Sequence, residues 1–211
     1  MNIKMTIPLL AIVILGCREG SSKLNKPKLS SDSSIDDYGR ILDSSEKSYT
    51  RKNNDSLGTL IKTISFNVKT DDTKDFEDGV IHWANIENPE KDIPYLIDKD
   101  KVVITESRIK IVIDYPLTNE YKFVLESKNG FTRQQLLKEI SKSYYKIFEE
   151  EENTATIKTI PAAKRTKTYN RNQTNGKYGI WGHDIADLVL ANILVYKTDD
   201  GEIILALEME S

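Results

Sequence analysis

From Leu57 onward, short apolar runs alternate with polar positions, the period-two pattern of half-buried strands. Ile64, Phe66 and Val68 fall on one face, with Ser65 and Asn67 on the other. Val80 to Ile86 is a second apolar run. Ile93 to Ile97 and Val102 to Ile104 flank the turn-prone Asp98-Lys99-Asp100, a spacing that predicts a hairpin. Ile109, Ile111, Ile113 and Tyr115 alternate with Arg108, Lys110, Val112 and Asp114 until Pro116 ends the strand. Tyr121, Phe123 and Leu125 give the matching face of an antiparallel partner. Farther on, Leu188 to Tyr196 is apolar on both faces and predicts a central strand. Asp200-Gly201 supplies a turn, and Ile203, Leu205, Leu207 and Met209 alternate on the returning strand.

Between these strands the period changes. Leu136, Ile140, Tyr144, Ile147 and Phe148 recur at intervals of three and four, the stripe of a helix. Thr132 suits its N-cap, Gln135 stands at N3 to complete a capping box, and Phe131 can staple against Leu136. One helix interrupting a series of strands, without repeated strand–helix–strand units, predicts an α+β domain. The expected architecture over 57–211 is an antiparallel β-sheet with one long amphipathic helix packed on one face.

Ahead of the domain the composition shifts. From 17 to 56 the chain is rich in Ser, Lys, Asp and Asn and poor in large apolar residues. It cannot bury enough surface to offset the entropy of ordering, so it reads as a flexible tether reaching on the order of 35 Å. One island breaks it: Ile35, Tyr38, Ile41 and Leu42 have helical spacing within a short helix over 34–47, with Ser34 and Asp37 at its start. Gly39 counts against it.

The opening residues differ again. Lys4 precedes an apolar run from Met5 to Leu15. That run is too short for a bilayer core, which takes roughly 20 residues, and has the length of a secretory h-region. It closes on Ile14-Leu15-Gly16-Cys17, followed at once by the polar string Arg18 to Ser22. This ending resembles the lipobox of bacterial lipoproteins. The resemblance covers residues 1–17 only and implies a signal peptide over 1–16, cleavage after Gly16, and acylation of Cys17 by diacylglyceryl and palmitate-type chains. It also implies an address in the cell envelope, on the periplasmic or cell-surface side. Arg18 stands where Asp would favour inner-membrane retention, so the outer membrane is the expected site. Two or three chains anchor stably where one does not.

Composition narrows the partners. Thirty Lys and Arg against 33 Asp and Glu give a net charge of −3, which lacks the footprint of a general nucleic-acid binder. A single Cys and two His leave no disulfide framework and no Cys-based zinc site. No metal or other cofactor is expected. The expected partners are the membrane, through lipid, and an envelope protein or a small-molecule ligand.

Two stretches hold the candidate chemistry. Glu149, Glu150, Glu151 and Glu152 sit where the long helix should end, the pole at which acidic residues are disfavoured by about 0.3–1 kcal/mol each. Either the helix runs on into solvent, or the basic stretch Lys164 to Lys167 with Arg171 folds back over them, or they form a docking face for a cation or a basic partner. The second stretch, Asn170 to Asp184, combines Gly176, Gly179 and Gly182 with Tyr178, Trp181, His183 and Asp184. Such a loop supplies stacking faces, close backbone approach and a group titrating near neutral pH. These four side chains are ligand-binding candidates; the alternative is that Trp181 and Tyr178 plug the end of the sheet, the glycines allow the turn, and His183 or Asp184 hydrogen-bonds loop backbone.

Of the weaker signals, His82-Trp83 reads as a satisfied strand pair. Asp71, Thr73 and Asp75 lack the Gly and Glu of a calcium loop. No nucleophile elbow or zincin motif occurs. The sequence therefore predicts a lipid-anchored binding or interaction protein; the alternative is an envelope hydrolase using His183 with Asp184 or a nearby glutamate as acid–base pair.

Overall fold

The computed structural model describes residues 57–165 and 173–211. The expected leader 1–16, Cys17, the expected tether with its apolar island at 34–47, and Lys167, Asn170, Arg171 and Asn172 lie outside these residues. The domain is α+β. Its strands are β1 (Thr59–Ser65), β2 (Val68–Lys69), β3 (Val80–Ile81), β4 (Ala84–Asn85), β5 (Val102–Ile104), β6 (Arg108–Ile113), β7 (Tyr121–Glu126), β8 (Phe131–Thr132), β9 (Val189–Lys197) and β10 (Ile203–Glu210). The long helix, Arg133–Thr154, follows β8.

The main sheet runs β1-β9-β10-β6-β7, with β4 extending the pairing of β9. Both hairpins read from alternation are present and antiparallel, β6 with β7 and β9 with β10. They join through β10 and β6, and that pairing is parallel: Ile204 faces Lys110, Leu205 faces Ile111 and Ala206 faces Val112. The sheet is therefore mixed, not antiparallel as expected. Alternation encodes each hairpin locally, but the direction in which two hairpins meet is set by the chain between them, which carries the long helix.

The inner face is aliphatic because the alternation places it so. Ile109, Ile111 and Ile113 from β6, Ile193 and Val195 from β9 and Leu205 from β10 gather with Leu136, Leu137, Ile140, Tyr144 and Ile147 of the long helix in one core. The helix starts on the expected box: the Gln135 amide donates to the Thr132 hydroxyl at 3.3 Å, and the Thr132 amide donates to Gln135 Oε1 at 2.9 Å. Buried side chains also make polar ties. Ser141 donates to the Ile86 carbonyl at 2.6 Å, and Tyr144 donates to the Tyr115 carbonyl at 2.8 Å. Burial first, then the nearby Asp114 and Tyr115, push the Tyr144 hydroxyl well above its ordinary value, so it stays a donor.

Two local expectations are corrected. Residues 93–104 do not form a hairpin: Ile93–Tyr95 is a 3-10 turn after the helical turn Pro89–Asp92, and β5 pairs with β8 instead. Pro89 and Pro94 fix helical φ at the starts of these turns and remove strand donors. His82 is not a satisfied strand residue either. The apolar run breaks between β3 and β4, leaving His82 exposed and 3.1 Å from Asp78, while Trp83 lies edge-on to Phe76.

Tyr144 links helix, core and the β6–β7 connection through one hydroxyl. Tyr144→Phe should cost about 1–2 kcal/mol by stranding the Tyr115 carbonyl, and Tyr144→Ala about 3–5 kcal/mol by opening a cavity. Urea unfolding midpoints of the two variants measure both.

Candidate functional site

The acidic run and the glycine-rich loop meet in one place, and the meeting point is Glu151. Its side chain is 1 % exposed. One carboxylate oxygen accepts the Thr174 hydroxyl at 2.6 Å and the Gly176 amide at 2.7 Å. The other accepts the amides of Tyr178 at 2.7 Å and Gly179 at 3.2 Å. Successive backbone N–H groups converging on an anion form a nest. Here the anion is the protein's own.

The glycines explain why the loop can close so tightly. A Cβ on Gly176 would stand 2.8 Å from the Glu151 carboxyl carbon and 2.7 Å from the Thr154 hydroxyl. Gly179 has a φ of +65° and packs against Thr118. Thr174 closes the ring, its amide donating to the Ile180 carbonyl at 2.9 Å and its hydroxyl accepting the Ile180 amide at 3.0 Å.

Glu150 holds the loop from outside. It accepts the Tyr178 hydroxyl at 2.5 Å and lies 2.7 Å from Lys177 Nζ. The loop's far side sits on the β6–β7 connection: the Thr118 and Asn119 amides both donate to the Tyr178 carbonyl at 2.9 Å, and Leu117 bridges Ile180. One alternative puts the basic stretch Lys164 to Lys167 with Arg171 over the helix end; Lys167 and Arg171 lie outside the described residues, and among the described ones other groups cover that end. The loop amides and Lys177 do this, while Arg165 pairs with Asp184 and donates to the Ile160 carbonyl. Several fixed amides can converge on one buried carboxylate without taking a second charge out of water.

The remaining candidates divide between core and surface. Tyr178 and Trp181 are buried, at 3 % and 5 % exposure, so their ring faces pack the sheet's end rather than line an open surface. Trp181 stands edge-on to Tyr115, with centroids 5.1 Å apart, and His183 lies 5.3 Å from the Tyr115 ring. The His183 Nε2 and Tyr115 hydroxyl are 2.9 Å apart, and the same hydroxyl is 2.9 Å from Ser211 Oγ. The hydrogen bonds of this chain can be met with the imidazole in either tautomer, the Tyr115 hydroxyl donating or accepting to match. Asp184 directs its carboxylate to Arg165, and its amide donates to Asp187 at 2.7 Å. Of the acidic run, Glu149 and Glu152 are exposed. Among the described residues no group of three or more His, Cys, Asp or Glu is placed to hold a metal, and no helix is long and apolar enough to cross a membrane.

Sequence reading missed Tyr115, Thr174 and Ser211 as partners. Tyr115 carries the signal of a final inward strand position, and only the fold brings it beside His183. Thr174 stands two residues before Gly176, the spacing that closes the ring.

Desolvation raises the Glu151 pKa, but the Thr174 hydroxyl and the three amides outweigh it and leave the carboxyl below its ordinary 4.5. A depressed carboxyl stabilises the fold fully above about pH 4.5, and this contribution is lost as pH falls through the folded value. Glu150 is also lowered, by Lys177 first and Tyr178 next, and adds in the same window. Glu151→Ala should destabilise by about 3 kcal/mol or more, since it strands a buried hydroxyl and amides. It should also flatten the fall in unfolding free energy between about pH 5 and 3, read from urea titrations at each pH. Neither a family model, nor a curated protein, nor a solved structure matches this chain.

Proposed function

We propose that the chain is a lipid-anchored protein of the cell envelope, on the outer membrane, whose domain binds a protein or small-molecule partner rather than catalysing a reaction. The observation that carries the address is the apolar run Met5 to Leu15 closed by Gly16 and by Cys17, the only cysteine in the sequence. A thiol at that place, followed by polar residues, suits acylation better than packing.

Support for binding over catalysis comes from how the domain uses its reactive groups. Glu151 holds the loop, Tyr178 and Trp181 fill the sheet's end, Asp184 faces Arg165, and His183 meets the Tyr115 hydroxyl. The alternative hydrolase would use His183 with Asp184 or a nearby glutamate as its acid–base pair, whereas the Asp184 carboxylate has Arg165 as its counter-charge. In this reading the long helix is the amphipathic cover of one sheet face, and its acidic end is the docking edge. Glu149 and Glu152 supply its exposed charge, and a basic surface on an envelope partner is the complement.

Labelled palmitate should enter the protein in growing cells. Cys17→Ala should abolish the label and move the protein out of the membrane fraction. Label retained by that variant, or the parent found in the cytosol with its leader intact, overturns the anchor. For docking, Glu149→Lys with Glu152→Lys should lose the captured partner and leave thermal unfolding within about 0.5 kcal/mol of the parent, as surface changes do. Unchanged capture rejects the acidic edge.

A further inference from the structure

The sheet has a second apolar face. Opposite the helix, Val112 from β6, Ile204 and Ala206 from β10 and Tyr196 from β9 form a separate cluster with Leu57, and Leu194 packs against it. Register places them as neighbours: Ala206 lies between Val112 and Leu194, and Ile204 lies between Lys110 and Tyr196. Among the described residues, the apolar side chains gathered there come from the strands themselves and from Leu57. Yet Val112 is only 2 % exposed, Tyr196 5 % and Ile204 7 %. Side chains on the open face of a sheet keep water on their tips, so these values belong to a covered face.

We propose that residues 34–47 of this same chain dock on that face, with Ile35, Tyr38, Ile41 and Leu42 turned toward Val112, Leu194, Tyr196, Ile204 and Ala206. Two observations select this occupant. Leu57 is the first described residue and already belongs to the cluster, so the chain arrives at the domain on this side. The four apolar residues are an isolated island between polar stretches, at the spacing of a helix stripe. Residues 43–56 span up to about 45 Å when extended, which is ample to bring the island back over the sheet. Burying such a stripe supplies the tertiary contact that a short helix needs, since it is marginal alone. This docking does not depend on lipid at Cys17.

The test uses the full chain with Cys17→Ser, so that a new thiol is the only one. A cysteine introduced by Leu194→Cys should react slowly with a thiol reagent. Adding Ile41→Asp should speed its reaction at least tenfold, whereas the control Asp43→Ser should leave the rate alone. Separately, the pair Ile41→Cys and Leu194→Cys should oxidise to a disulfide that stays at monomer mass on a non-reducing gel. That second measurement does not depend on whether Ile41→Asp disturbs folding. A fast rate in the parent, a rate that falls as protein concentration rises, or a crosslink only at dimer mass overturns the proposal; the latter two assign the face to a second copy of the chain.

Discussion

A carboxylate in the last turn of a helix faces two penalties when it is buried. It lies at the negative end of the helix dipole, and it leaves water. The domain meets both at Glu151 with the same device, a loop that turns three amides and one hydroxyl onto the two oxygens. Much of the remaining structure at that end follows. The loop must be glycine-rich to come so close, it must lie against the β6–β7 connection to be held, and Tyr178 and Ile180 must then point into the core. The charge is structural: it joins the end of the helix to a segment about 25 residues away in sequence.

The other organising constraint is the sheet's two apolar faces. The inner one is shared with the long helix, and the outer one is narrower, centred on β6, β9 and β10. A central strand such as β9, apolar on both faces, has this meaning: neither face can be left to water. The strand alternation of β7 shows the contrast, since its outward residues Lys122, Val124 and Glu126 are exposed where the sheet reaches its edge.

Elements whose signal lies within a few residues were legible in the sequence. The capping box at Thr132 and Gln135, the β6–β7 and β9–β10 hairpins and the inward faces of their strands all come from spacing alone. What the sequence hid was long-range. The parallel meeting of β10 with β6 has no local marker, and neither does the pairing of β5 with β8. At the site, residue types were visible but their roles were not. Four consecutive glutamates look alike, and only the fold separates Glu151, enclosed by amides, from Glu149 and Glu152 in solvent. Tyr178 and Trp181 were recognisable as special by their setting among glycines. That setting arose from the needs of a tight turn around a carboxylate and did not by itself mark a ligand surface.

The place of β10 in the sheet bears on how the chain is made. It follows the other described strands in sequence, yet it stands between β9 and β6 and joins the β1–β9 pair to the β6–β7 hairpin. Until it has left the ribosome, β1 with β9 and β6 with β7 have no common strand, and each keeps an unsatisfied edge. The main sheet can therefore be completed only after β10 has been made.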